Sequence, residues 1–324
     1  MMKTAHASAP GKIILFGEHS VVYGKPALVS AIDKRAHVEV ERYPSASQRI
    51  CISTVDYKSS HEMLFSTDPN FITGQPMHIH PLLRIIQSVY IQEEIEESIT
   101  VKVTSDLPRS AGLGSSASVC VALTAALADV FNLGYSLEQI SACAFKGEQL
   151  VHGTPSGIDN TISTFGGCIR YHKGEIQPIE GSLVQLIIGN TGITRETKTW
   201  VGKVRSRYDT FPYVIEPIIN AMGDLAKEAE GVLATRDLVR LGELMDINHG
   251  MLSSIGVSIA ELDHLVNQAR SAGAYGAKLT GAGGGGCMFA LVDDENHDKV
   301  FRALYESGAD PIRAQFETEG VIIH

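Results

Sequence analysis

The chain has 324 residues, of which 44% are hydrophobic and 20% are charged, as in an ordinary globular protein. At about 150 residues per domain, this length predicts about two domains. There are 27 Lys and Arg residues against 37 Asp and Glu, so the formal net charge is −10. This balance argues against a protein that binds nucleic acid or an anionic membrane by long-range attraction.

Cysteine usage and hydropathy indicate the cellular setting. The cysteines lack Cys-x-x-Cys spacing, which favours buried free thiols in a reducing compartment over a metal or redox site. The longest apolar stretch, residues 119–131, contains Thr124 and Asp129 and is too short to cross a bilayer. The first residues lack the apolar core of an export signal. We therefore expect a cytoplasmic protein. The five cysteines are Cys51, Cys120, Cys143, Cys168 and Cys287.

The first half of the chain mixes strand and helix patterns. Polar and apolar residues alternate over His37–Arg42 and over Ser98–Ser105, which predicts two half-buried strands. Between them, residues 80–94 carry apolar side chains at helical spacing. Residues 116–131 are apolar nearly all round, and we expect a helix buried on most sides.

The pattern changes in the second half. The pattern over residues 167–181 predicts short strands and turns, and the pattern over residues 183–191 predicts a new apolar strand. Helical segments follow over residues 197–271, and a glycine-rich tract then leads into strand, helix and a final strand. The sequence predicts an α+β protein with domains at residues 1–180 and 181–324.

A glycine- and serine-rich loop, PRSAGLGSSAS at residues 108–118, follows the predicted strand. Its Gly112-x-Gly114-x-x-Ala117 spacing matches a dinucleotide fingerprint, which also needs a second strand and an acidic residue about 20 residues further on. Here a second helical pattern follows instead, and Asp129 falls inside the first helix. The chain also contains no Gly-x-x-x-x-Gly-Lys-Ser/Thr motif. Neither a nicotinamide site nor a Walker A loop is therefore expected.

The remaining interpretation places a phosphate group at the start of the helix. Gly112 and Gly114 permit close approach of the backbone, so that amide groups can point at phosphate oxygens. The helix N-terminus adds partial positive charge, and Ser115 and Ser116 offer hydroxyls to phosphate or to a magnesium ion. A flexible turn is the alternative, but flexible linkers rarely separate a strand from a buried helix.

One carboxylate lies on an apolar helix face. The helix begins at Ser136, where Gln139 completes a capping box, and its stripe includes Ile140, Ala144 and Glu148. A buried carboxylate is costly unless a positive charge meets it. An ion-paired glutamate and a metal ligand are both consistent with this position.

Two further charged residues are candidates for chemistry. Asp159 follows a Gly-Thr-Pro-Ser-Gly run that reads as a loop, and Lys12 stands at the start of an apolar strand. A lysine in such a place is usually a solvated surface charge. Beside Asp159, however, it would stabilise developing negative charge.

Three separated motifs resemble the signatures of one kinase family. They are PGKIILFGEHSVVYGKPAL at residues 10–28, PRSAGLGSSAS at residues 108–118 and KLTGAGGGGC at residues 278–287. Their order and spacing, with HGTPSGIDN at residues 152–160 between the second and third, are similar to those of the GHMP kinases. That family is named for galactose, homoserine, mevalonate and phosphomevalonate, and the resemblance extends over essentially the whole chain.

The resemblance implies a fold and an activity. We expect an N-terminal domain like domain 2 of ribosomal protein S5, a ferredoxin-like C-terminal domain, and an active site between them. The implied reaction transfers a phosphoryl group from ATP to a hydroxyl with the help of Mg²⁺. The run SVVYGK at residues 20–25 differs from the acidic run of galactokinases, whereas residues 147–160 and 190–198 resemble the members that act on mevalonate.

The resemblance also implies residue roles. Asp159 is expected to take the proton from the attacking hydroxyl, with Lys12 against it as the second catalytic residue. Ser116 and Glu148 are expected to hold magnesium, although the adjacent Ser115 leaves open which serine does so. The residues expected around the ATP phosphates are Pro108, Ser110, Ala111, Gly112, Leu113, Gly114, Ser115, Ser116 and Ala117. Those expected around the acceptor are Lys12, Glu18, His19, Asp159, Gly281, Ala282 and Gly283.

Two alternatives stay open at this stage. A family member that acts on phosphomevalonate would need extra basic groups for the second phosphate. A catalytically silent relative that only binds nucleotide would be expected to lack Asp159 or Lys12, and both are present. The partners expected are ATP and mevalonate, with no nucleic acid and no membrane, and we expect a homodimer. No residue is assigned to the mevalonate carboxylate.

Overall fold

The computed structural model describes residues 2–55, 57–68, 70–108, 111–152, 156–180, 184–194 and 196–324. Within these ranges the chain forms two sheets covered by helices. None of the helices in the described ranges is both long and apolar enough to cross a membrane.

The first sheet has eight strands among the described residues, in the order β12-β1-β2-β5-β3-β4, with β6 beside β2 and β7 beside β6. All of its pairs are antiparallel except β3 with β5. The predicted strands are confirmed, one inside β2 and one as β5. The bounds are β1 Lys3–Phe16, β2 Ala27–Tyr43, β3 Arg49–Thr54, β4 Ser59–Leu64, β5 Ser98–Ser105, β6 Cys168–His172, β7 Glu175–Ile179 and β12 Ile322–Ile323.

Strand β1 corrects one expectation, because Lys12 lies inside this 14-residue strand and not at its start. The small residues Ala5, Ala7 and Ala9 are buried at alternate positions and belong to the core under the helices. Small side chains at a period of two give a strand face against which a helix can pack closely. The low hydropathy of this run conceals the strand in the sequence.

Four helices pack with the first sheet. The predicted buried helix is confirmed as α2. The predicted capping box is present at the start of α3: the Ser136 amide donates to Gln139 Oε1 at 2.9 Å, and the Gln139 amide donates to Ser136 Oγ at 3.3 Å. The helix predicted over residues 80–94 is confirmed as α1, which ends two residues earlier. The bounds are α1 His80–Gln92, α2 Ser115–Val130, α3 Leu137–His152 and α4 Ile158–Phe165.

The second sheet is antiparallel, with the order β11-β8-β10-β9. Numbered within this unit, the order is 4-1-3-2 with helices after the first and third strands, which is the ferredoxin-like βαββαβ arrangement. The ferredoxin-like expectation is thus confirmed. The bounds are β8 Gln185–Asn190, α5 Thr197–Thr210, α6 Pro212–Thr235, α7 Leu238–Ser254, α8 Ala260–Ser271, β9 Gly276–Leu279, β10 Cys287–Val292, α9 His297–Glu306 and β11 Asp310–Gln315.

The two sheets share a core. One cluster of buried side chains includes Ile13 and Leu28 of the first sheet together with Ile188 and Phe289 of the second. The predicted boundary between residues 180 and 181 falls at residues 181–183, outside the described residues. The last strand, β12, pairs with β1, so the end of the chain returns to the first sheet.

Candidate active site

Lys12 and Asp159 lie together where β1 meets α4. Lys12 Nζ is 3.3 Å from Asp159 Oδ1, and the Lys12 side chain is 8% exposed against 36% for Asp159. Asp159 stands in the first turn of α4, which corrects the expectation of a loop. Gly157, with φ of 80°, precedes the helix and turns the chain into it. A buried ammonium group thus faces a carboxylate that solvent and a ligand can reach.

The glycine- and serine-rich loop is attached to the same lysine. The Lys12 amide donates to the Leu113 carbonyl at 2.8 Å. Gly114 has φ of 77°, and a Cβ placed on it would lie 2.8 Å from Lys12 Cγ. The backbone conformation and the close lysine stem therefore both select glycine at this position. The loop lies directly over the Lys12 side chain.

This loop ends at the N-terminus of α2. Gly114 is the residue before the helix, and a glycine has no side chain to cap the first amide groups. Such a helix start attracts anions through its N–H groups and its partial positive charge. Of the predicted phosphate-binding residues, Ser110 lies outside the described residues. The others lie in the described residues that precede or open α2, and their contact with phosphate stays a prediction: Pro108, Ala111, Gly112, Leu113, Gly114, Ser115, Ser116 and Ala117.

Ser116 and Glu148 meet between α2 and α3. Ser116 Oγ donates to Glu148 Oε1 at 2.7 Å, and Glu148 is 2% exposed. Ile140 and Ala144 on the same face of α3 are also buried, so the predicted stripe continues to the carboxylate. A hydroxyl and a carboxylate are hard oxygen donors of the kind that Mg²⁺ prefers. The residues present therefore fit a magnesium site.

A buried ion pair joins the turn after β1 to the second sheet, and the sequence reasoning missed it. Lys278 Nζ, on β9, contacts Glu18 Oε1, and neither side chain is exposed. Burial raises the pKa of the Glu18 carboxyl and lowers the pKa of the Lys278 ammonium, while the attraction between the two opposes both shifts. The positive charge of Lys12 also acts to lower the pKa of Glu18, as a smaller contribution than that of Lys278. The sequence feature that indicates such a buried pair is a lysine inside an apolar strand.

His19 connects the first domain to the glycine-rich turn. Its Nε2 lies 3.0 Å from the Ala282 carbonyl oxygen, and its backbone has φ of 58°. The turn itself has positive φ at Gly281 and Gly283. The structure therefore brings His19 and Ala282 into contact, while the carboxylate of Glu18 is directed to Lys278. Contact of these residues with an acceptor stays a prediction.

The chain was compared with protein families and with known proteins. The family model for the GHMP kinases N terminal domain matches residues 82–167, and the model for the GHMP kinases C terminal matches residues 226–310. A mevalonate kinase of Thermococcus sibiricus is 42% identical over 98% of this chain and 97% of its own length. The human mevalonate kinase is 32% identical over 98% of this chain and 94% of its own length.

A solved structure is also similar to this chain over nearly its full length. The mevalonate kinase of L. major in complex with R-mevalonate is similar with a TM-score of 0.84 and 28% identity, over 98% of each chain. Together, fold and site define a two-domain kinase whose candidate site lies between β1 and the helices α2, α3 and α4. The chain belongs to the GHMP kinase family.

Proposed function

We propose that the chain transfers the γ-phosphoryl group of ATP to the 5-hydroxyl of (R)-mevalonate, giving 5-phosphomevalonate and ADP in the mevalonate pathway of isoprenoid biosynthesis. The observation that carries this proposal is the Lys12–Asp159 contact at 3.3 Å beside Gly114, in a chain whose full-length relatives are mevalonate kinases. The predicted homodimer is retained as part of the proposal.

Asp159 accepts the proton of the attacking hydroxyl in this mechanism. Its carboxylate is accessible, and Lys12 Nζ beside it stabilises the negative charge that develops on the substrate oxygen. The α2 N-terminus holds the phosphates of ATP through backbone amides. Phosphoryl transfer needs mainly positioning and charge stabilisation, and these residues supply both.

Ser116 and Glu148 are the residues that would hold magnesium. Both lie beside the proposed phosphate position, because Ser116 is in the first turn of α2. Bound magnesium neutralises charge on the transferred phosphates. In this structure the hydroxyl that contacts the carboxylate is that of Ser116, which supports Ser116 over Ser115 as the ligand.

Glu148→Gln tests this assignment. The amide keeps the shape and can accept from Ser116, but it removes the negative charge. We expect the Mg²⁺ concentration for half-maximal activity to rise by about tenfold or more, with a lower kcat and little change in Tm. Mg²⁺ titration of the initial rate and a melting curve measure both effects.

Glu138→Gln is the matched control, since Glu138 is exposed on the same helix. It should leave the Mg²⁺ response unchanged. A large loss of Tm in Glu148→Gln with a normal Mg²⁺ response would show that Glu148 is a structural residue and not a ligand.

A coupled assay of ADP release tests the function itself. Mevalonate, phosphomevalonate, galactose and homoserine are offered separately with ATP and Mg²⁺, and we expect the highest kcat/KM with mevalonate. Preference for phosphomevalonate would assign the chain to the next phosphorylation instead. ATP binding without ADP release on any acceptor would indicate a silent relative.

A further inference from the structure

Three histidines lie together on the first sheet, away from Lys12 and Asp159. His6 is on β1, His37 is on β2, and His324 follows β12. Ser8 pairs with His37 across β1 and β2, and Ser8 pairs with Ile322 across β1 and β12. His6 and His324 stand two residues from these pairs. Because side chains alternate along a strand, the three imidazoles share one face of the sheet.

The rings of these histidines are close enough to act together. The His6 ring is stacked on His324 with centroids 4.5 Å apart and on His37 with centroids 5.7 Å apart. One ring nitrogen from each residue can be chosen so that all three lie within 4.8 Å of one another. Two nitrogens bound to one zinc ion at about 2.1 Å are at most about 4.2 Å apart. The nitrogens are thus close to the separation that one ion requires, and the rings must turn out of their stacked arrangement so that their in-plane lone pairs converge on it.

Neighbouring polar groups lie close to two of the rings. Ser8 Oγ is 2.9 Å from His324 Nε2, and Asp106 Oδ2 is 3.6 Å from His37 Nε2. An imidazole has two nitrogens, so one can contact a hydroxyl or carboxylate while the other binds a metal. Metal-binding histidines usually have such a partner, which fixes the ring and raises its basicity.

The space beside the histidines is accessible to a small ion. A surface cavity of about 310 Å³ is lined by His6 and His37 with Glu39, Lys102 and Thr104. Glu39 is the residue paired with His6 across β1 and β2. The carboxylates of Glu39 and Asp106 lie near the imidazoles together with the positive charges of Lys102 and Arg35, so the surroundings are mixed in sign.

We propose that His6, His37 and His324 form a binding site for a divalent transition metal of the zinc type. Imidazole nitrogen is a good ligand for Zn²⁺, Ni²⁺ and Cu²⁺, whereas Mg²⁺ takes oxygen ligands. This site is therefore chemically distinct from the Ser116–Glu148 site. Its three ligands lie on β1, on β2 and directly after β12, so a bound ion would link residue 324 to β1 and β2.

An ion bound to the three histidines is expected to stabilise the folded chain near β12. β12 is only two residues long, and the segment before it also packs against α4, where the Val321 amide donates to the Thr164 carbonyl at 3.0 Å. An ion that binds the folded arrangement and not the unfolded chain raises stability according to its concentration and affinity. We expect Zn²⁺ to raise Tm without a change in kcat.

Calorimetric titration of the full chain with ZnCl₂, in excess Mg²⁺, tests the site. We expect saturable binding of one ion per chain. His6→Gln and His37→Gln should each weaken the affinity by about tenfold or more and reduce the rise in Tm at a given Zn²⁺ concentration. Both variants should keep normal phosphoryl transfer, which shows that they are folded.

His264→Gln is the matched control, because His264 is exposed on α8. It should bind Zn²⁺ like the unmodified chain. Absence of saturable binding, or unchanged affinity in His6→Gln and His37→Gln, would overturn the proposal. Loss of Zn²⁺ binding in Glu148→Gln with normal binding in the histidine variants would also overturn it, since the ion would then occupy the magnesium site. Failure of the mevalonate assay would leave this site unaffected.

Discussion

Asp159→Asn is expected to lower kcat by about 10²- to 10⁴-fold while ATP binding is retained, because asparagine keeps the shape of the side chain but cannot accept a proton. The partly exposed carboxylate faces Lys12 Nζ at 3.3 Å and stands in the first turn of α4. The proposed phosphate position at α2 does not use this side chain. Steady-state kinetics with mevalonate and calorimetric titration with ATP separate the two effects.

Asp224→Asn is the control for this variant. Asp224 is exposed on α6, where it pairs with Lys227, and its replacement should leave kcat unchanged. A near-normal kcat in Asp159→Asn would exclude the general-base role. Equal loss of ATP affinity and turnover would instead assign Asp159 to nucleotide binding.

Much of the fold could be predicted because the patterns that carry it are local. The alternation over Ser98–Ser105 gives β5 with the same bounds, and the Ser136–Gln139 capping box marks the start of α3. The first part of β1 was harder to predict, since its buried hydrophobic side chains are Ala5, Ala7 and Ala9, whose hydropathy is too low to stand out.

The candidate site was predictable only in part. Glu148 was noticeable because a carboxylate interrupts an apolar helical stripe, and the structure places it against Ser116. Asp159 was placed in a loop because α4 has only eight residues, too few for a clear periodic pattern. Its approach to Lys12 joins residues 147 positions apart, which no local pattern contains. The family resemblance supplied that pairing.

The Lys278–Glu18 contact could not be predicted from local sequence patterns for the same reason. Its members are 260 positions apart, one in the turn after β1 and the other on β9 of the second sheet. Lys278 nevertheless lies between Ala277 and Leu279 in a fully buried strand, and the argument applied to Glu148 predicts a buried partner for it as well. What the sequence lacks is the identity of the partner, which only the packing of the two sheets decides.

Lys278→Met is expected to lower the free energy of unfolding by about 3–5 kcal/mol, because it leaves the Glu18 carboxylate buried without its counter-charge. The neighbouring rings of Phe16 and Phe289 lie 5.9 Å and 5.2 Å from Lys278 Nζ, so the surroundings offer little alternative solvation. Glu18 Oε2 already has no hydrogen-bond partner within the part of the chain that the structure describes. Urea denaturation of the full chain measures the effect.

The double variant Glu18→Gln with Lys278→Met distinguishes a buried charge from lost packing. Removing both charges should recover a large part of the stability, since no uncompensated carboxylate then remains. Lys227→Met, which breaks the exposed pair with Asp224 at 2.9 Å, is the control and should change stability little. If Lys278→Met were no more destabilising than Lys227→Met, the pair would not be a buried connection between the sheets. If the double variant were as unstable as the single one, the loss would come from packing of the lysine stem and not from the charge on Glu18.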